Sequence, residues 1–150
     1  MSDLRALSVR QPWAHSIVHL GKDIENRSRR LGHRGWTLVH ASAEVSHHEV
    51  ETAREFHTRQ GLPDLPSTGS LRGGGIVGVV RIVDAISAAD ARSSSKWWMG
   101  PYGLVLADAR PLPFIPCKGT VAPLFWRPDD EVLAQVERAL GGLPLPECPA

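Results

Sequence analysis

Positively charged side chains are concentrated between the first predicted helix and the strand that follows it. The segment 21–41, GKDIENRSRRLGHRGWTLVHA, contains one lysine and four arginines against two acids, whereas the whole chain has a formal net charge of +1. Because arginine and lysine bind phosphate oxygens, this cluster predicts a groove that grips a polyanion. The predicted contacts are Lys22, Arg27, Ser28, Arg29, Arg30, His33 and Arg34.

Aromatic rings beside these cations would let bases stack on the protein. The stretch Lys96-Trp97-Trp98 combines charge with aromatic surface, and Tyr102 follows it closely. The sequence therefore predicts Lys96, Trp97, Trp98 and Tyr102 as further nucleic-acid contacts. The alternative is that the loop arginines are merely solvated and that the tryptophans, five in the chain, pack in the core.

Lys22, Glu25 and Tyr102 are the candidates for catalysis if the protein is an enzyme. A lysine in a low-dielectric cleft has a lowered pKa and can act as a base or nucleophile. A neighbouring carboxylate opposes that shift, so a buried Lys22–Glu25 ion pair that shapes a pocket is the simpler interpretation. His40 lies on a predicted buried strand, where a histidine is more often a hydrogen-bonded core residue than a pocket group.

Other classes of site and location are disfavoured by what the sequence lacks. His15 and His19 lie four residues apart, but a metal pair would need a third ligand, so no metal and no cofactor are predicted. Cys117 and Cys148 show no CxxC spacing, which argues against a disulfide framework. No apolar run approaches membrane-spanning length, and the N-terminus does not resemble a signal peptide. The expectation is a cytoplasmic protein without membrane contacts.

Length and patterning predict one α+β domain over 1–150, with 141–150 as a flexible tail. The composition, 42% hydrophobic and 22% charged, is that of an ordinary soluble domain. Apolar runs predict up to six short strands, and 3.6-residue periodicity with capping residues predicts three helices. The predicted strands are 4–9, 22–27, 35–42, 76–86, 102–109 and 120–126, and the predicted helices are 13–20, 46–61 and 131–140. Prolines are expected to break the chain over 110–116. This order lacks strict strand–helix alternation, so it fits a small mixed sheet curled into a barrel.

Five short motifs stand in a distinctive order along the chain. They are LSVRQPWA at 7–14, GK at 21–22 with Glu25 and Arg27-Ser28 after it, HRG at 33–35, HA at 40–41 and GPYG at 100–103. Together they resemble the ASCH family, a branch of the PUA-like β-barrel superfamily, over residues 4–126. The resemblance implies a PUA-like mixed β-barrel of five to six strands, two or three flanking helices and a central cleft that binds nucleic acid.

Some members of the family are enzymes, which the resemblance brings in as an alternative. One bacterial branch hydrolyses N4-acetylcytidine with a lysine, a threonine and a glutamate, and another is described as a ribonuclease. The family pattern Lys-x-x-Thr-x-Arg falls on Lys22, Glu25 and Arg27, so glutamate replaces the threonine, and no residue here matches the catalytic glutamate. The branch found in a transcription coactivator carries glutamate at that position.

Three functions therefore follow from the sequence. The first is binding of RNA or DNA in a basic cleft, including a flipped or modified base. The alternative is a small hydrolase acting on a modified nucleoside or on RNA through a cleft lysine. The third is a protein-interaction module in a transcription or RNA-processing complex.

Overall fold

The computed structural model describes residues 3–141, which form one six-stranded sheet and three α-helices. Two short 3-10 helices, Thr68–Ser70 and Ala91–Ser94, lie in the longer connections. No helix in the described range is long and apolar enough to cross a membrane, and the predicted flexible tail falls almost wholly outside that range. In chain order the main elements are β1 (Arg5–Val9), α1 (Trp13–His19), β2 (Ile24–Arg27), β3 (Gly35–Ala41), α2 (His47–Gln60), β4 (Gly75–Ser87), β5 (Tyr102–Pro116), β6 (Phe125–Trp126) and α3 (Asp130–Ala139).

The sheet is mixed and strongly curled. Its strand order is β2-β5-β4-β3-β1-β6, with β1 parallel to β3 and the other neighbours antiparallel. In a flat sheet, β2 and β1 would lie roughly 19 Å apart, at about 4.8 Å per strand. Yet the Nη2 atom of Arg27 on β2 donates to the carbonyl oxygen of Ser8 on β1 over 3.4 Å. The sheet must therefore bend round toward itself, which confirms the predicted α+β architecture of a mixed sheet curled toward a barrel.

Apolar side chains cover both faces of the sheet. Along β4, Val80 and Ile82 pack on the side of α1, whereas Ile76 and Val79 pack on the side of α3. The continuous apolar run of β4 predicted a central strand covered on both sides, and its buried residues confirm that prediction.

The helices begin and end close to the predicted residues because the sequence has typical capping residues at those positions. The side chain of Ser46 accepts from the backbone N–H of Glu49 at the start of α2, and Gly61 ends that helix with a left-handed backbone. Asp129 accepts from the N–H of Val132 at the start of α3.

Two strand boundaries differ from the prediction by more than two residues. The chain from Arg110 to Pro116 was expected to be broken by prolines, but it continues β5 as one strand of 15 residues. Its prolines lie beyond Val105, where the pairing with β2 ends, so in the described sheet that stretch pairs with β4 alone and needs fewer N–H groups. The predicted strand 120–126 is reduced to Phe125–Trp126, because the preceding residues wrap over the ends of β1 and β3 instead.

Gly78 on β4 is expected to be required for the packing of α1. A Cβ atom there would lie 2.6 Å from the carbonyl oxygen of Arg110 and 2.7 Å from Cγ2 of Val18. We expect Gly78→Ala to lower the free energy of unfolding by about 1–3 kcal/mol through overpacking, measured by urea denaturation. Gly32→Ala is the matched control, because a Cβ atom at Gly32 meets no atom within 4 Å. Equal urea midpoints for the two variants would contradict this account.

Candidate nucleic-acid interface

Lys22 lies in the protein interior rather than on a groove. Its residue surface is 3% exposed, and its Nζ atom donates to the carbonyl oxygen of Ile24. The same Nζ atom lies 5.1 Å from the ring centroid of Trp13 and 5.7 Å from that of Trp97. Oε1 of Glu25 is 3.9 Å away, so the predicted Lys22–Glu25 pair is present. A cation enclosed in this way does not reach a phosphate group at the surface.

Burial sets the protonation chemistry of this group. Removal from water lowers the pKa of Lys22, and the negative charge of Glu25 partly opposes that shift. Glu25 is itself buried, and its Oε2 atom lies 3.5 Å from Nη2 of Arg27. Lys22, Glu25 and Arg27 therefore form a chain of alternating charges, which we call the buried charge chain.

Arg27 joins the buried charge chain to β1. Its side chain is 22% exposed, and its Nη2 atom reaches both Glu25 and the carbonyl oxygen of Ser8. Its Nε atom is buried without a hydrogen-bond partner. Ser28 and Arg29, which follow it, are exposed.

Arg30 and Arg34, the remaining predicted arginines, lie with Arg92 beside residues 84 and 85 of β4. Nη1 of Arg30 donates to the carbonyl oxygen of Ala85 over 2.6 Å. Nη2 of Arg34 lies 3.9 Å from Oδ1 of Asp84, and Nη1 of Arg92 lies 3.4 Å from its Oδ2. Three arginines thus gather where β4 offers one partly exposed carboxylate, which leaves an excess of positive charge. We call Arg30, Arg34 and Arg92 the β4 arginine patch.

The β4 arginine patch joins residues that are far apart in the sequence. Arg30 also lies against the ring of Tyr102, with 5.9 Å between its Cζ atom and the ring centroid. Arg92 follows Arg34 by 58 residues, so local charge density could not place the two side chains together. The long strand β4 does so, because Asp84 stands between them.

His33 is half-buried at the edge of this region. Its ring stacks on Phe125 with 4.2 Å between centroids, and Nε2 lies 3.1 Å from Oγ1 of Thr37. Burial lowers the pKa of His33, and the nearby positive charges of Arg5 and Arg34 lower it further. Near neutral pH the ring therefore packs as an uncharged aromatic group instead of adding a positive charge.

The predicted aromatic contacts divide into one buried residue and two half-buried ones. Trp97 is 6% exposed and packs edge-on against His57, with 5.1 Å between ring centroids. Packing, the alternative considered for the tryptophans, is therefore the observed role of Trp97. Trp98 and Tyr102 each keep part of their surface in solvent, and Lys96 is exposed.

A cleft of about 840 Å³ opens elsewhere, between the ends of β1 and β3 and the segment 116–121. None of the residues predicted as contacts lines it. Its floor carries Ser8 and His40, whose Oγ and Nδ1 atoms are 3.0 Å apart. Nε2 of His40 lies 2.9 Å from the carbonyl oxygen of Cys117, and burial lowers the pKa of His40. His40 is thus hydrogen-bonded in the interior, as expected, but it also borders this cleft. Sequence reasoning missed the other polar lining residues, Ser42, Lys118 and Thr120.

Within residues 3–141, no three His, Cys, Asp or Glu side chains come together as metal ligands would. The rings of His15 and His19 lie 4.7 Å apart on α1. Burial lowers the pKa of His15, and the neighbouring His19 adds to that shift.

Comparison with known proteins identifies the architecture. Neither a protein-family model nor a curated protein matches the sequence. Among solved structures, the chain is similar to ASCH from Zymomonas mobilis, with a TM-score of 0.51 and 11% identity over 92% of this chain and 96% of that one. The fold is that of the ASCH domain. A serine-to-alanine mutant of the Zymomonas protein matches with a TM-score of 0.51 and 10% identity, covering 91% and 96%. A tyrosine-to-phenylalanine mutant of the same protein matches at 0.50 and 11%, covering 89% and 96%.

This likeness confirms, at the level of the fold, the ASCH resemblance that the motifs predicted. The solved ASCH structures are covered almost completely, so the chain spans the whole architecture. At 10–11% identity the likeness lies in the course of the backbone.

The burial of Lys22 predicts a pH-dependent cost in stability. In the folded protein the pKa of Lys22 is lowered from 10.5. Between that lowered value and 10.5 the unfolded chain binds more protons at this residue than the folded chain does. In this pH range Lys22 therefore makes the free energy of unfolding rise with pH. We therefore expect the stability of Lys22→Met relative to the wild type to decline over that range. The decline should be about 1.4 kcal/mol for each unit of lowering.

Urea denaturation between pH 7 and the ordinary lysine value of 10.5 measures this difference. Lys96→Met is the control, because it removes a solvated amine. A difference between Lys22→Met and the wild type that is the same at every pH would show that Lys22 is not desolvated.

Proposed function

We propose that this protein binds nucleic acid in the cytoplasm through the β4 arginine patch and the adjoining loop 28–34. The observation that carries the proposal is the gathering of three arginines beside the one carboxylate of Asp84. A surface of this kind attracts the phosphate backbone, and arginine is the side chain best suited to bind phosphate oxygens in pairs.

The arrangement of the patch suits a strand that runs along it. Arg34 and Arg92 pair with different oxygens of Asp84, so their guanidinium groups lie close to each other. A phosphate that reaches one of them from solvent would therefore meet both. Such surface pairs contribute little to folding, so their side chains are free to exchange the carboxylate for a phosphate. Arg29 is exposed in the same loop and would extend the contact.

Tyr102 supplies the aromatic surface that the proposal needs. Its half-buried ring lies beside Arg30, and β5 holds it opposite Arg27 of β2. A base stacked on this ring would keep its phosphate within reach of the patch, because base stacking and phosphate contacts combine in single-strand binding. The ASCH-like motifs of the sequence imply the same role.

The hydrolase alternative, with Lys22 as the catalytic group, has one observation in its favour. Burial lowers the pKa of Lys22, which is what a base or nucleophile would require. Its 3% exposure and its enclosure by Trp13 and Trp97 keep substrate away from the amine. Binding at the patch is therefore the better supported function.

Removing two arginines of the patch should weaken binding strongly. We expect Arg34→Ala/Arg92→Ala to lower oligonucleotide affinity about tenfold or more at low salt. The slope of log affinity against log salt should become shallower by about 1.4–1.8, since each lost phosphate contact accounts for about 0.7–0.9. Fluorescence anisotropy with short single- and double-stranded RNA and DNA at several salt concentrations measures both quantities.

The matched control is Arg59→Ala/Arg138→Ala, which removes the same charge from exposed positions on α2 and α3. Equal losses of affinity in the two double variants would mean that the oligonucleotide is attracted by the overall positive charge of the protein. That result would contradict binding at the β4 arginine patch. Wild-type protein that fails to bind any of the four oligonucleotides at low salt would end the proposal.

A further inference from the structure

The floor of the cleft holds a serine and a histidine in direct contact. Ser8 on β1 and His40 on β3 are partners in the parallel pairing of these strands. Their side chains therefore stand next to each other, and Oγ of Ser8 lies 3.0 Å from Nδ1 of His40. Both residues line the cleft of about 840 Å³. Ser8 keeps part of its surface accessible, whereas His40 is 2% exposed and contacts the cleft from beneath, through Ser8. This is the distance at which a base can take a proton from a hydroxyl group.

The surroundings of His40 decide which nitrogen can accept that proton. Nε2 lies 2.9 Å from the carbonyl oxygen of Cys117, and a carbonyl oxygen only accepts hydrogen bonds. Nε2 of the neutral ring therefore carries the hydrogen, and Nδ1 is left as the acceptor that faces Ser8. Burial lowers the pKa of His40, although the hydrogen bond to Cys117 works in the opposite direction. The neutral ring, which is the basic form, is thus favoured near pH 7.

A third group orients the hydroxyl of Ser8. Nε1 of Trp126 donates to Oγ over 3.2 Å, which holds the hydroxyl group in place. With this lone pair engaged, the hydroxyl hydrogen turns toward Nδ1 of His40. The carbonyl oxygen of Thr120 is a weaker competitor at 3.4 Å.

Gly119 brings the wall of the cleft against this pair. A Cβ atom at Gly119 would lie 2.6 Å from Nδ1 of His40 and 2.8 Å from Oγ of Ser8, so only glycine permits the approach. The same segment carries Lys118 and Thr120 into the cleft lining.

The lining indicates what kind of molecule the cleft accepts. Much of it is apolar, formed by Ala43, Pro116 and Val121, and Lys118 is the one charged side chain among its lining residues. An occupant that matches this surface has an apolar body and an anionic end that pairs with the ammonium group.

We propose that Ser8 and His40 are a nucleophile and its general base, which hydrolyse a small ester with an apolar body and an anionic group. Oγ of Ser8 attacks the ester carbonyl carbon and forms the new C–O bond, while its proton passes to Nδ1 of His40. The tetrahedral intermediate collapses, the original ester C–O bond breaks, and the departing alcohol takes the proton from His40. Water then attacks the acyl-serine, His40 accepts its proton, and that proton returns to Oγ as the acid leaves.

The test begins with the wild-type chain and two chromogenic esters, 4-nitrophenyl hemisuccinate and the uncharged 4-nitrophenyl butyrate. We expect a burst of about one equivalent of nitrophenolate, followed by slower turnover. A fluorophosphonate probe should modify Ser8, as identified by peptide mass spectrometry. Wild-type protein with no turnover, or with the label on another residue, would overturn the proposal and identify the pair as a purely structural contact.

Variants then separate the roles of the residues. Ser8→Ala should lose both the burst and the label, whereas Ser67→Ala, an exposed serine outside the cleft, should retain both. His40→Gln should slow acylation at least 100-fold, and the wild-type rate should fall as His40 is protonated below its ordinary pKa of 6.5. Lys118→Ala should raise KM for the hemisuccinate but not for the butyrate. A folded Ser8→Ala protein that hydrolyses both esters at the wild-type rate would exclude Ser8 as the nucleophile.

Discussion

The buried charge chain of Lys22, Glu25 and Arg27 is the constraint on which the site depends. Charges removed from water must be paired, because breaking such a pair leaves an uncompensated charge inside the protein. Glu25 meets Lys22 on one side and Arg27 on the other, and Arg27 continues to the carbonyl oxygen of Ser8. Through this chain β2 is held against β1 although the two strands are not neighbours in the sheet, and the arginine-rich loop begins where Arg27 is anchored.

Ser8 stands where the two proposed sites meet. Its carbonyl oxygen accepts from Arg27, which begins the arginine-rich loop, and its hydroxyl group faces His40 on the floor of the cleft. A shift of β1 would therefore alter both places at once. The nucleic-acid interface and the cleft are distinct in their lining residues but share this one strand.

Most of the fold could be predicted from local signals, whereas the site could be predicted only in part. Caps such as Ser46 and Gly61 mark helix ends within the chain itself, and the apolar run of β4 identifies a central strand. The prolines of β5 led to the wrong prediction that this strand ends before residue 110. A strand accepts proline where one of its margins is unpaired, and the sequence does not show where the pairing with β2 ends. Arg30 and Arg34 were identifiable by type and spacing. For Lys22 and Trp97 the sequence left burial and a groove position open as alternatives. Burial is decided by the curl of the sheet and the packing of α1, which no local signal reports. The contact of Ser8 with His40 depends on parallel pairing across 32 residues.

The prolines of β5 also bear on how the protein behaves at high concentration. Beyond Val105 this strand pairs, in the described sheet, with β4 alone, so its other margin is a template on which a second molecule could add a strand. Pro111, Pro113 and Pro116 have no N–H to offer, and a ladder on the outer margin would be interrupted wherever one of these nitrogens faces it. The residues that obscured the strand in the sequence are thus of the kind that disfavours edge-to-edge pairing between molecules.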